Sequence, residues 1–453
     1  MKVTNAADQD GGPFYFWKGI NRTNASTIKK SYQSNDAQQI IINLSKDCDL
    51  ISPLRIGDRI AHSSQDWNFR SHIYPYFRAV NNDIYLLEYA NPRNFAGNIF
   101  GMESLPEEWY LHDPVTDLRK ETRLISAWTS PNPDINDYNE WVYDMGKPEF
   151  VNFFANRVVK AMQAGLDGLM IDNSGINRSV SKMKIWKTNE ITIPTNPRTG
   201  RKYTRDEELA EKLNMAQKIR AAVNNFNNGK SLQGRPFLLT PNIGNQILDD
   251  EWAIVKTYGA AQSEGGAWFA PRNKVLTINE WLEHVTNVKQ AMHLGVPWLY
   301  MGKQEEVPWP GKSRILFTYA SALLAAGAEG DRFFMRYNHG LDWPGFRVDI
   351  GHAKGDFYKH PDTKNIYARK FGKALVLVNP SDASETVNID FSYKRLVDAS
   401  IGANFDWQGL SAVSSKSVQI SAYSAEILAL DNADTVKAPT TLSPPVGLKM
   451  VTD

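Results

Sequence analysis

Two periods of apolar and polar positions run through this chain, and the balance between them changes once, near Tyr358. Before that point, short apolar runs of strand length alternate with stretches whose apolar residues recur every three or four positions. Residues 39–44 (Gln-Ile-Ile-Ile-Asn-Leu) read as a first strand and 84–89 (Ile-Tyr-Leu-Leu-Glu-Tyr) as a second. The third is either 123–128 or 141–145. The latter is favoured, because it passes directly across Gly146-Lys147-Pro148 into a helix carrying Phe150, Phe153, Phe154, Val158 and Met162. Gly165 stands where that helix needs a left-handed cap. A fourth strand follows and ends at Asp172, with Met170 and Asp172 predicted on one side, Leu169 and Ile171 on the other.

Later elements repeat the alternation. Thr204 with Glu207, and Thr277 with Glu280, make capping boxes for two helices. Residues 236–240, 259–264, 296–301 and 331–336 read as strands five to eight, with an apolar helix over 314–326. Eight strands with helices between them predict an α/β fold, a (β/α)8 TIM barrel over residues 1–357. After Tyr358 only period-two segments remain, predicting a small antiparallel β-sandwich domain over 358–431. Residues 432–453 read as a linker or tail.

Composition narrows the function classes. The 51 Lys plus Arg against 50 Asp plus Glu leave a net charge of +1, with no basic stripe for nucleic acid. No apolar run is long enough to span a membrane. The lone Cys48 excludes an intramolecular disulfide framework and a multi-cysteine metal site. The polar start, residues 1–12, lacks a secretion signal; an extracellular or periplasmic location is favoured if a leader was removed. Aromatic residues make up 11% of the chain, many in turn-rich contexts that suit flat sugar faces, among them Trp109, Trp141, Trp268 and Trp298. For any single Trp a core role is the better reading.

Searches for phosphate loops, dinucleotide fingerprints, metal-binding histidine pairs and nucleophilic-serine elbows find nothing, so no cofactor or metal is expected. Acids at strand ends remain: Glu88, Asp144, Asp172 and Glu264. Glycoside hydrolysis needs two carboxylates flanking one bond. Each acid also has a structural reading: Glu88 in a salt bridge, Asp144 capping the next helix, Asp172 capping a turn, Glu264 as plain surface in Gln262-Ser263-Glu264-Gly265-Gly266. Asp167, at the start of its strand, sits where barrels keep stability residues.

The segment from Tyr143 to Asn173, with Asp144, Pro148 and Gly-Leu-Asp-Gly-Leu-Met-Ile-Asp-Asn, resembles the glycoside-hydrolase-like (β/α)8 barrels. These are uncharacterised relatives of the α-galactosidase and amylase type and of the endo-α-galactosaminidase barrels. The likeness extends through residues 108–113, 204–207 and 240–242 to 371–380. It implies a carbohydrate substrate, Asp172 as nucleophile and Glu264 as acid/base, although the Gly-rich flank of Glu264 departs from the pattern. It further implies a retaining glycosidase acting on an oligo- or polysaccharide. Glu88, Asp144, Asn173, Asn242, Trp268 and Tyr300 are candidate sugar contacts. A glycan-binding barrel without activity is the alternative, as is a polysaccharide lyase using Tyr300 and Lys303. The sugar, the linkage and the oligomeric state do not follow from the sequence.

Overall fold

The computed structural model describes residues 15–18, 24, 27–28, 32–45, 48–52, 65–96, 105–127, 140–175, 180–244, 247, 249–264, 268–269, 274–302, 310–311, 313–328, 333–337, 344–389, 392–398, 407–413 and 415–430. Eight of its strands run parallel: β1 (Tyr15–Lys18), β2 (Leu50–Ile51), β3 (Tyr85–Ala90), β4 (Gly168–Ile171), β5 (Leu238–Pro241), β6 (Ala261–Glu264), β7 (Trp298–Gly302) and β8 (Phe333–Tyr337). Their spatial order is β5-β4-β3-β2-β1-β8-β7-β6, so each strand lies beside its sequence neighbours. The two end strands also touch. Asn242, just after β5, bridges Gln262 of β6 in parallel, and the Ile243 N–H donates to the Gln262 carbonyl at 3.1 Å.

Helices connect these strands: α1 (Asn35–Ser45), α2 (Gln65–Val80), α3 (Pro148–Gln163), α4 (Arg205–Asn225), α5 (Trp252–Tyr258), α6 (Ile278–His293) and α7 (Arg314–Ala325). Helix α3 begins with Pro148 in its first turn, buries Phe150, Phe154, Val158 and Met162, and is followed by Gly165 at φ +93°. Both capping boxes form, at Thr204/Glu207 and Thr277/Glu280. No described helix is long and apolar enough to cross a membrane.

The expected first and third strands are corrected. Residues 39–44 lie inside α1. Its buried positions Ala37, Ile41 and Ser45 recur at four-residue steps, so of the three consecutive isoleucines only Ile41 lies on the buried stripe, with Ile40 and Ile42 half-buried to either side. The two alternatives for strand three both fall on a separate antiparallel sheet, ordered 94–96, 140–142, 124–126, 183–185, 191–192. This sheet is built from the long connections after β3 and β4, and joins them above the carboxyl ends of those strands. Leu111, Leu124, Val142, Met183 and Tyr203 form its core.

After Tyr358 the chain is antiparallel, with β9 (Tyr358–Lys359), β10 (Tyr367–Lys370), β11 (Ala374–Asn379), β12 (Glu385–Asn388), β13 (Tyr393–Asp398), β14 (Trp407–Ala412), β15 (Ser417–Ile420) and β16 (Ser424–Leu430). Six of these form one sheet, β9-β10-β11-β16-β13-β14, and β12 pairs with β15. Val376, Val378, Ile427 and Ala429 share a core with α7, which is why every residue of that helix is buried. Arg369 fastens the contact: one guanidinium nitrogen donates to the carbonyls of Leu323, Leu324 and Ala326 at 2.8–3.0 Å. The expected tail, 432–453, lies outside the described residues.

Candidate active site

Strand parity decides which side chains can meet inside the parallel sheet. Leu50, Tyr85, Leu87, Leu299, Met301 and Phe334 form an inner cluster. The alternate residues Leu86, Ala90, Leu169, Ile171 and Leu239 pack with the helices, as do Ala261, Trp298 and Tyr300. On β4, Met170 and Asp172 therefore face inward, in agreement with the sequence alternation. On β6, Ser263 accepts a hydrogen bond from the helix-side Trp298 indole at 3.0 Å, which leaves Gln262 and Glu264 facing inward.

Asp172 stands immediately beyond β4, half-buried. Its Oδ1 accepts the Asn242 side-chain amide at 2.8 Å and the Asn173 N–H at 2.8 Å. Its Oδ2 accepts the Tyr89 hydroxyl at 2.5 Å, and Asn91 donates to that same phenolic oxygen at 3.3 Å. Burial, then the adjacent Asp172 charge, holds the Tyr89 phenol well above the usual tyrosine range, so it remains a donor. Among the described residues no Lys or Arg pairs with Asp172. The described donors to the carboxylate, Tyr89, Asn242 and the Asn173 N–H, are all neutral.

The loop behind it is tightly built. The Ser174 and Gly175 N–H groups both donate to the Asn242 carbonyl, at 3.1 and 3.2 Å. A side chain on Gly175 would meet the Ile243 carbonyl oxygen at 2.9 Å, so only glycine allows this close approach. Asn173 takes φ +52°, a left-handed conformation that asparagine tolerates, and its side chain is exposed.

Of the candidates read from the sequence, Asp172, Asn242 and Glu264 share the inner face. Others do not. Glu88 has the parity of Leu86 and Ala90 and is buried on the helix side of β3. Tyr300 is buried in the helix-side core beside His284 and Phe333, with ring centroids 5.3 and 5.5 Å away. Asp144 lies in the antiparallel sheet region, where both its oxygens accept from Arg198 at 2.9 and 3.0 Å and it caps the Gly146 N–H at 3.0 Å. It is a structural ion pair. Trp268 belongs to the two-residue strand Trp268–Phe269, while Lys303 lies outside the described residues. Trp141 and Trp298 are core residues.

Tyr89 and Gln262 also share the inner face, and no motif in the sequence marks them as site residues. Tyr89 is legible in the alternation: it shares the parity of Tyr85 and Leu87, whereas the charge of Glu88 points to the neighbour on the opposite face. Among the described residues no cluster of three or more His, Cys, Asp or Glu side chains is arranged to hold a metal ion.

No protein-family model matches the chain, and no curated protein matches it by sequence. Among solved structures, an alpha-glucosyl transfer enzyme, XgtA, is similar over 92% of this chain and 99% of its own, at 11% identity and a TM-score of 0.45. A debranching enzyme from Nostoc punctiforme is similar over 93% and 99%, at 10% identity and a TM-score of 0.44. The glycoside hydrolase domain of PelA from Pseudomonas aeruginosa is similar over 74% and 97%, at 11% identity and a TM-score of 0.36.

Proposed function

We propose that this protein is a glycoside hydrolase acting on an oligo- or polysaccharide, with Asp172 as nucleophile and Glu264 as general acid/base. The observation that carries the reading is the setting of Asp172: a half-buried carboxylate at the carboxyl end of a parallel strand, oriented by Tyr89, Asn242 and a backbone N–H, with no cation among the described residues paired to it. The bridge between the end strands supports reading the sheet as a closed (β/α)8 ring with this acid at its mouth. Residues 1–357 then form the catalytic unit, and 358–431 a β domain that covers α7.

Glu264 follows Gln262 by two residues, and Gln262 is bridged to Asn242, the donor to Asp172. Two strand spacings of about 4.8 Å and one two-residue step of about 6.6 Å therefore separate the acids along the sheet. Side chains converging over the mouth leave room for a sugar ring between them. Glu264 would protonate the leaving glycosidic oxygen as Asp172 attacks the anomeric carbon, giving a glycosyl-enzyme. Glu264, now a carboxylate, would take a proton from the water that releases the sugar. Oδ1 of Asp172 already accepts two hydrogen bonds and Oδ2 one, so Oδ2 is the oxygen to form the bond.

The test is release of reducing ends from a panel of polysaccharides, followed by proton NMR of the first anomer formed. Hydrolysis with retained configuration is expected. Binding of a glycan without release supports a binding barrel instead, and unsaturated products a lyase. Glu264→Gln should lose activity toward substrates with poor leaving groups and keep it toward activated ones.

A further inference from the structure

Three charged side chains lie buried behind the Asp172 loop. Arg93, Glu208 and Lys212 are each at most 5% exposed. Glu208 pairs with the Arg93 guanidinium and with the Lys212 ammonium, the latter at 3.3 Å, and also accepts the Ser181 N–H at 3.1 Å. Removing one partner from such a buried group strands the others without their counter-charge, so the three side chains hold one another in place.

Their connections lead to one atom group. The Arg93 backbone N–H donates to Asn91 Oδ1 at 3.2 Å, Asn91 donates to the Tyr89 hydroxyl at 3.3 Å, and Tyr89 donates to Asp172 Oδ2 at 2.5 Å. On the other side, Lys212 donates to the Gly175 carbonyl at 2.6 Å, the Gly175 N–H donates to the Asn242 carbonyl at 3.2 Å, and Asn242 donates to Asp172 Oδ1 at 2.8 Å. The two arms start at one carboxylate, Glu208, and end at another, Asp172. The circuit is closed. A small cavity lined by Pro92, Asn173, Ser174 and Lys212 lies along it.

We infer that Glu208 is a positioning residue for Asp172, acting through Arg93 on the Tyr89 arm and through Lys212 on the Asn242 arm. The kinetic consequences rest on the hydrolase reading; the mechanical ones do not. The groups facing the Lys212 ammonium are Glu208 from its own helix, Arg93 from beyond β3, and Glu251 and Tyr258 from the two ends of α5. Burial pulls that ammonium down to about 8, with Glu208 opposing. Loss of its proton weakens the hold on Gly175, so the Asn242 arm should loosen as pH rises through about 8.

The full chain should be compared with Lys212→Met, Lys212→Arg and Glu208→Gln, each checked for folding by thermal melting. Hydrogen exchange at the Asn173 and Gly175 amides should quicken by about 10-fold in Lys212→Met and Glu208→Gln, and return toward wild type in Lys212→Arg. On a substrate found for the wild type, kcat should fall by about 10-fold with KM within about 2-fold. Protection of the wild-type Gly175 amide should drop above pH about 8, and in Lys212→Arg it should not. Should Lys212→Met not fold, the Lys212→Met/Glu208→Gln double variant keeps the net buried charge and replaces it. Unchanged exchange at both amides in a folded variant overturns the inference. A wild type inactive on every glycan overturns the hydrolase reading alone, since the exchange result still decides this one.

Discussion

An acid flanks each end of strand β4, and the protein treats the two in opposite ways. Asp167, before the strand, is fully buried, pairs with Arg78 at 2.8 Å and accepts the Leu86 N–H at 3.1 Å. Arg78 also donates to the Gly165 carbonyl at 2.8 Å, so the pair ties α2 to the turn that enters β4. Asp172, after the strand, is half-buried and, among the described residues, accepts from neutral donors. A cation beside a fully buried carboxylate compensates its charge and holds the two elements together. Neutral donors fix its direction and leave its charge for a substrate.

The largest effect expected on stability is at the first acid. Arg78→Met leaves Asp167 charged and fully buried without its cation, and should cost about 3–5 kcal/mol in urea unfolding while sparing kcat of the folded fraction. A loss below about 1 kcal/mol would deny Asp167 its structural role. At the second acid, Tyr89→Phe deletes a hydrogen bond to a charged group. About 1.5–3 kcal/mol of orientation, or roughly 10- to 100-fold in kcat, should go, with the melting temperature little moved.

A third acid lies between these extremes. Glu211 accepts from Tyr203 at 3.0 Å and pairs with Arg198, within the network that holds Asp144. Burial and then the Asp144 charge push its carboxyl up to about 7, against the pull of Arg198. Between pH about 4.5 and about 7 the folded chain thus binds the proton that the unfolded chain has released, and stability falls as pH rises. Glu211→Gln should flatten that slope, an effect on the order of 1 kcal/mol given the exposed Arg198, read as melting temperature against pH.

The sequence made some of this legible and hid the rest for physical reasons. Long periodic helices with capping boxes, such as α4 and α6, and the inward parity of Asp172 follow from local pattern alone. Strands β1 and β2, four and two residues long, offer too little alternation to register, and the isoleucine run of α1 took their place. The sequence pattern yields eight strands only because residues 39–44 and 141–145 stand in for β1 and β2. Within the site, the charge of Glu88 is the visible signal, whereas Tyr89 beside it makes the contact. The circuit through Arg93 and Glu208 joins residues 115 apart in sequence, and no local pattern encodes it.

The most direct measurement is the rate of reducing-end release by Asp172→Asn against wild type, at equal melting temperature and on the same polysaccharide. A fall of about 10³-fold or more with glycan binding retained is expected, since the substitution keeps the hydrogen-bonding shape and removes only the charge that attacks. Release at the wild-type rate would contradict it, and Asp172 would then be one more acid that merely shapes a loop.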